Sequence, residues 1–258
     1  MTTDRRYCER AVFRSDAGAS EDGDVTFTDG LSNRAIDRAG VTLREHRSAT
    51  APTPLDRAEL DAALLILETF RSRFTSSQVL ARVRIGVEHY ARQIVPGTRA
   101  VQRTKKTDRI IGKLVRQPSL NLSRLEDVAG CRIVVPTLAQ QYEIVERLRH
   151  AWGDSVTRHR DYVAEPKETG YRAHHLIVRR DSLPVEIQIR TDYQHRWART
   201  VEAEEIRRGT LLKDGEGDAH VLATFRAIAQ VGAEFDAGLI ASEAEFNRRF
   251  SDILRDET

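Results

Sequence analysis

The sequence predicts an α/β fold, a sheet covered by helices, and three observations carry that expectation. Val185-Glu186-Ile187-Gln188-Ile189-Arg190 alternates strictly between apolar and polar side chains, as a strand does. Cys131-Arg132-Ile133-Val134-Val135 is a short apolar run closed by Pro136 and reads as a buried strand. Between and around them lie segments with apolar residues at helical spacing, so that strand, helix, strand, strand follow one another.

The same pattern of elements runs along the 258 residues. Residues 1–53 read as a loosely ordered segment, with a polar, Gly-rich stretch from Ser15 to Asp24. Within it Ser32 can cap a short helix through Arg38 that Gly40 would end. From Leu55 the pattern turns helical: Leu60, Ala63, Leu64, Leu67 and Phe70 share one face. A second helix runs from Ser76 or Ser77 to Ile94, with Val79, Val83, Val87 and Tyr90 as its stripe and Pro96-Gly97 as its end. Thr137 to Trp152 and the stretch around Gln194–Glu202 are helical as well. Val221 to Arg255 reads as helix with breaks at Gly232 and Gly238. Leu176-Ile177-Val178 forms a strand joined to the alternating one by a turn over Arg180–Pro184.

With 40% hydrophobic residues the chain can bury a core, and a mean hydropathy of −0.49 speaks for a soluble protein. A net charge of +2 excludes the overall basic signature of a nucleic-acid binder. No apolar run reaches membrane-spanning length and MTTDRRYCER has no apolar signal core. Two cysteines, Cys8 and Cys131, in dissimilar surroundings make a disulfide improbable, and a cytoplasmic location is expected.

Charge is concentrated locally. Arg99, Arg103, Lys105, Lys106, Arg109, Lys113 and Arg116 crowd one segment whose second half is helical, capped by Thr107 or Asp108. Lys105, Arg109, Lys113 and Arg116 line one face if that helix starts early enough. Such a ridge is either solvated or neutralised by an anion such as a triphosphate. Asp127 enters the first strand and is either a turn former or, with Glu186, one of two oxygen ligands for a hard divalent cation. The polar face Glu186, Gln188, Arg190 is either solvated or part of a site with the neighbouring Gly170-Tyr171-Arg172-Ala173-His174-His175.

These residues carry a resemblance. Arg103-Thr104-Lys105 with Lys113, Asp127-Val128-Ala129-Gly130-Cys131-Arg132, Asp161-Tyr162 with Pro166-Lys167, Gly170-Tyr171-Arg172 with His175, and Glu186-Ile187-Gln188-Ile189-Arg190-Thr191 resemble, in order and spacing, the motifs of RelA/SpoT-type alarmone synthetases. The match covers residues 99 to about 202. Ser32–Gly40 and His195-Arg196-Trp197-Ala198 resemble a short, stand-alone branch, and the His-Asp pair of the family's hydrolase half is not found.

The resemblance implies a nucleotidyltransferase-like mixed sheet of about five strands flanked by helices, with N- and C-terminal helical extensions. The corresponding division is 1–53, a synthetase domain at 54–205 and an extension at 206–258. It implies transfer of pyrophosphate from ATP to the 3′-hydroxyl of GDP or GTP. Arg103, Lys105 and Lys113 would grip the ATP phosphates, with Arg109 in the same helix standing where the family commonly has Ser. Asp127 and Glu186 would hold Mg²⁺, and Glu186 would also accept the proton of the attacking hydroxyl. Tyr171, expected exposed, would stack on guanine, while Lys167, Arg172, His175, Gln188 and Arg190 would line the acceptor site. Ala173 replaces a common Ser. A rival reading within the fold is a toxin that pyrophosphorylates the 3′ end of tRNA, with a cognate antitoxin and with Arg158, Arg160, Arg179, Arg180, Arg207 and Arg208 on the tRNA backbone. A homo-oligomer through the helices after Val221 is a further expectation of the resemblance; a membrane partner is not.

Overall fold

The computed structural model describes residues 29–48 and 57–255. The readings for Cys8, for Ser15–Asp24 and for Pro52 and Pro54 lie outside them. The chain divides into two compact units, one of residues 1–77 with 105–125, the other of residues 78–104 with 126–258.

The first unit is helical. It holds α1 (Asn33–Ser48), α2 (Arg57–Ser76), α4 (Thr107–Arg116) and a 3₁₀ turn at Leu122–Arg124. Ser32 caps α1 as expected, its Oγ accepting from the Ala35 N–H at 3.2 Å. Gly40 does not end that helix. It sits in mid-helix because a Cβ there would come within 2.8 Å of the Leu122 Cβ, so the glycine admits the 3₁₀ turn. Ile36, Leu43, Leu67, Phe70, Phe74 and Leu114 make the core. Buried Arg73 forks onto Asp29 (2.6 and 2.7 Å), tying the start of α1 to α2. The basic helix α4 begins at least one residue earlier than its capping candidates require: Lys106 is the N-cap and neither Thr107 nor Asp108 caps it. Lys105 therefore precedes the helix, while Arg109, Lys113 and Arg116 stay on one face of it.

The second unit holds the sheet: β1 (Val101–Thr104), β2 (Ala129–Val135), β3 (Val156–Asp161), β4 (His174–Arg180) and β5 (Leu183–Thr191), in the order β1-β2-β5-β4-β3. Only β2 and β5 pair in parallel; the rest is antiparallel, so the sheet is mixed. The β4–β5 turn is tight, with Asp181 and Ser182 both at positive φ. Helices α3 (Val79–Arg92), α5 (Leu138–Trp152), α6 (Asp192–Arg208), α7 (Ala219–Asp236) and α8 (Glu243–Arg255) complete the unit. Thr191 and Gln194 form a capping box that starts α6 directly from the end of β5. Gly232 does not interrupt α7, which runs on to Asp236; the break falls at Gly238.

Cross-strand partners share a face, so the register sorts the side chains. Cys131, Ile133, Val135, Leu176, Val178, Ile187 and Ile189 point to one side, which α3 and α5 cover. The opposite side carries two polar rows: Arg103, Gly130, Glu186, Ile177 and Arg158, then Val101, Arg132, Gln188, His175 and Arg160. Arg190 starts a third, beside Val134.

Candidate active site

The alternating strand does not put its polar side chains in water. Glu186, Gln188 and Arg190 are 9%, 4% and 2% exposed, as buried as the isoleucines between them. Polar groups buried to that degree have to satisfy one another, and here they do so in a ring. Gln188 Nε2 donates to Glu186 Oε2 at 2.6 Å, and His175 Nδ1 lies 2.8 Å from Glu186 Oε1. His175 Nε2 meets the Tyr171 hydroxyl at 2.6 Å, and Arg190 Nη2 donates both to that hydroxyl (2.7 Å) and to Gln188 Oε1 (3.1 Å). Arg132 Nε and Arg103 Nη1 also aim at Gln188 Oε1, at 3.4 and 3.5 Å.

The strands meet closely where the site is built. A Cβ on Gly130 would fall 2.4 Å from the Glu186 carbonyl oxygen, so only glycine lets β2 approach β5 at that point. Asp127, half-buried, precedes Gly130 by three residues and so leads into the strand that pairs with Glu186.

Three guanidinium groups, those of Arg103, Arg132 and Arg190, thus share a face with a single carboxylate. Burial pushes the Glu186 carboxyl up, but His175, Arg103 and the Gln188 amide more than reverse this and hold it well below the usual carboxylate range. Glu186 is therefore ionised at neutral pH. Burial together with Arg190 and Arg103 lowers Arg132 to about 10, a sign of crowded positive charge. Helix α6 adds His195, lowered to about 4 by burial and by Arg132 and Arg190, and Glu202, which pairs with Lys213 at 2.5 Å. Arg190 Nε and Nη1, both buried, have no hydrogen-bond partner among the described residues. A buried guanidinium with donors to spare is a seat for an anionic oxygen.

The expected residues are distributed as follows. Glu186, Gln188, Arg190, His175, Tyr171 and Arg103 come together. Lys167 lies over the rings of Tyr162 and Tyr171, at 5.3 and 5.5 Å. Arg172 points elsewhere in the unit, donating to the Val163 carbonyl at 2.8 Å and lining a small cavity with Tyr193, Trp197 and Asp236. Lys105, Arg109 and Lys113 belong to the helical unit. The expectation of an exposed Tyr171 is corrected: the residue is 6% exposed, packed among Trp197, Val201, Leu212, Val221 and Phe225, with the Arg190 guanidinium 5.2 Å from its ring centre. Arg132, His195, Glu202 and Lys213 were missed as site residues. For Arg132 the signal was available, since alternation along β2 puts it on the face opposite Cys131, Ile133 and Val135.

Of the arginines assigned to a tRNA backbone, Arg207 and Arg208 pair with Glu204, Arg158 pairs with Glu126 at 2.7 Å, and Arg160 bonds the Tyr162 hydroxyl at 3.0 Å. Among the described residues no helix is long and apolar enough to cross a membrane.

A five-stranded mixed sheet with a buried, charged face and flanking helices defines a nucleotidyltransferase-like fold. Its neighbours among solved structures share that fold. The small alarmone synthetase 1 from Bacillus subtilis, bound to its product pppGpp, superposes with a TM-score of 0.54 at 24% identity, covering 67% of this chain and 94% of that one. A GTP pyrophosphokinase family protein from Streptococcus pneumoniae gives 0.54 at 23%, covering 70% and 96%. Residues 102–207 match the model of the region found in RelA/SpoT proteins. The uncharacterized protein Rv1366 of Mycobacterium tuberculosis is 29% identical over 177 residues, 66% of this chain and 58% of that one. The probable GTP diphosphokinase RSH2 of Oryza sativa subsp. japonica is 31% identical over 94 residues, 36% of this chain and 13% of that one. The chain thus spans little more than half the length of the mycobacterial relative.

Proposed function

We propose that this protein transfers the β,γ-pyrophosphate of ATP to the 3′-hydroxyl of GDP or GTP and so makes the alarmone (p)ppGpp. The observation that carries the reading is the buried Arg190 beside an ionised Glu186, on a sheet face shared with Arg103 and Arg132. Pyrophosphoryl transfer asks for charge neutralisation and in-line placement rather than for covalent chemistry by the protein. The bond between the α-phosphorus oxygen and the β-phosphorus breaks, the 3′-oxygen bonds to the β-phosphorus, AMP leaves, and the hydroxyl proton passes to a base. Arg190, Arg132 and Arg103 would hold phosphate oxygens and oppose the charge that develops on them. Glu186, ionised and oriented by His175 and Gln188, would accept the hydroxyl proton. Within the helical unit, Arg109 and Lys113 lie on one face of α4, with Lys105 just ahead of it, a basic ridge suited to an anion.

Glu186 and Asp127 would supply oxygen ligands for Mg²⁺, and a Mg²⁺ held through one or two carboxylates completes its shell with water and substrate phosphates. When bound, the ion would neutralise and align the phosphates. To ligate it, Glu186 would exchange one of its two present hydrogen bonds.

A second reading, transfer to the 3′ end of tRNA, is favoured by one observation: Arg158 and Arg160 extend the polar face along edge strand β3. An assay with β-labelled ATP and Mg²⁺, offered GDP, GTP and deacylated tRNA separately, decides between them. Label on a guanosine nucleotide supports the alarmone reading. Label on tRNA alone replaces it with the second, and transfer to none of the three refutes both.

A further inference from the structure

The turn between α6 and α7, residues 209–218, is built around one side chain. The Leu211 carbonyl accepts from the N–H groups of Asp214 and Glu216, at 2.9 and 3.1 Å, and a 3₁₀ turn runs over Leu212–Asp214. Leu212 is buried in the cluster that holds Tyr171 and Trp197. Next to it, Lys213 is fixed by backbone and head. Its N–H donates to Glu205 Oε1 at 2.9 Å and its Nζ to Glu202 Oε1 at 2.5 Å. The ammonium thereby comes within electrostatic reach of Arg190.

Positive charge is in excess at this place. Lys213, Arg132 and Arg190 all act on the Glu202 carboxylate, while Glu205 is engaged with the backbone of the turn. Arg190 spends Nη2 on Tyr171 and Gln188; its buried Nε and Nη1 have no hydrogen-bond partner among the described residues. His195 Nδ1, from the start of α6, is buried without one as well. Burial, then Arg132, Arg190 and Arg199, keep that imidazole neutral at pH 7. Arg132, His195, Glu202 and Lys213 are half-buried, so a solute can reach them. Converging donors with one carboxylate among them suit an anion with several oxygens.

We propose that Lys213 is a phosphate-binding residue: with Arg190, Arg132 and His195 it seats a phosphate group of a nucleotide substrate, and Glu202 holds its ammonium until that group arrives. The inference rests on the transfer reading for the nucleotide, and on the geometry alone for the seat. An exchange of partners separates it from a structural ion pair. In a structural pair Lys213 and Glu202 are equivalent, and losing either leaves anion binding unchanged. In the seat they are opposed, because Glu202 competes with the phosphate for the ammonium.

The test titrates inorganic pyrophosphate into the full chain by calorimetry, with divalent metal chelated. Lys213→Gln should bind it about tenfold more weakly than wild type, the scale of one charge-assisted hydrogen bond. Glu202→Gln should bind it at least as tightly as wild type. GDP, GTP and ATP are titrated in the same way, and the nucleotide that loses affinity in Lys213→Gln supplies the phosphate. A wild type that binds no pyrophosphate overturns the proposal. So does a lysine variant within about twofold of wild type, or a Glu202→Gln protein weakened as much as the lysine variant. A lysine variant that loses pyrophosphate but keeps all three nucleotides overturns the substrate assignment. Were Lys213→Gln not to fold, Glu202→Gln still decides, since it keeps the lysine and weaker binding by it refutes the competition. Were the wild type to transfer to no acceptor, the function would fall while the pyrophosphate titration still tested the seat.

Discussion

Replacing Glu186 by Gln changes one oxygen into an NH₂ group, and the ring around it has no room for another donor. Both carboxylate oxygens accept at present, from His175 Nδ1 at 2.8 Å and from Gln188 Nε2 at 2.6 Å. Whichever way the new amide turns, one donor faces another. Turning Gln188 over does not help, because its Oε1 accepts from Arg190 at 3.1 Å and faces Arg132 and Arg103. Moving the His175 proton to Nε2 strands the Tyr171 hydroxyl in its turn. The substitution therefore costs one hydrogen bond to a charged group and removes the carboxylate that opposes Arg103, about 2–3 kcal/mol together. For a chain of this size that lowers Tm by roughly 5–10 °C. Transfer should fall by about a thousandfold as the proton acceptor is lost. The depressed Glu186 pKa stabilises the fold fully above the unfolded-state value near pH 4.3, and that contribution fades as the pH falls below it. The gap between wild-type and variant melts should accordingly narrow below about pH 4. Thermal melts by circular dichroism at several pH values, alongside the β-labelled ATP assay, read all of this. Turnover within about twofold of wild type would remove Glu186 from the site. An unchanged Tm would refute the ring of hydrogen bonds as described.

Two other substitutions test the frame around the site. Burial raises Asp236 to about 6, against the hydrogen bonds it accepts from Thr191 (2.8 Å) and Gln194 (3.4 Å). A raised carboxyl weakens the fold as pH climbs from about 4 through 6, so Asp236→Asn, which keeps an accepting oxygen, should stabilise by about 1–2 kcal/mol at pH 8 and by nothing at pH 4. Urea titrations at the two pH values measure the difference; equal effects would refute the burial argument. Gly130→Ala drives a methyl group into the Glu186 carbonyl at 2.4 Å and should cost about 3 kcal/mol or more by prising β2 from β5. A Gly130→Ala protein as stable as wild type would show that the strands approach less closely than described.

How much of this was legible beforehand depended on whether the signal was local. The alternation in Val185–Arg190 identified β5 and its polar face, and the spacing of apolar residues found the helices over 57–76, 79–92 and 138–152. The edge strands β1 and β3 escaped because each carries charged or polar side chains on its exposed positions and lacks a period of two in its apolar residues. Gly40 and Gly232 look like helix stops in sequence, where nothing distinguishes a terminating glycine from one inside a helix, such as Gly40 where Leu122 comes close. Tyr171 was misjudged for the same reason. Its neighbours Gly170 and Arg172 suggest an exposed loop, whereas the residues that bury it lie between Trp197 and Phe225. Burial by distant chain is invisible to a local pattern. So was the closing of the ring, which needs a turn of the chain to bring His175 beside Glu186.

The parallel pairing of β2 with β5 joins residues 56 positions apart, Gly130 to Glu186. On a ribosome this sets an order of events. Until Thr191 has emerged, the sheet exists only as the separate ribbons β1–β2 and β3–β4, each with its inner edge unpaired. The strand that bridges them also brings Glu186, Gln188 and Arg190. Assembly of the sheet and assembly of the charged site are therefore one event, which waits for β5.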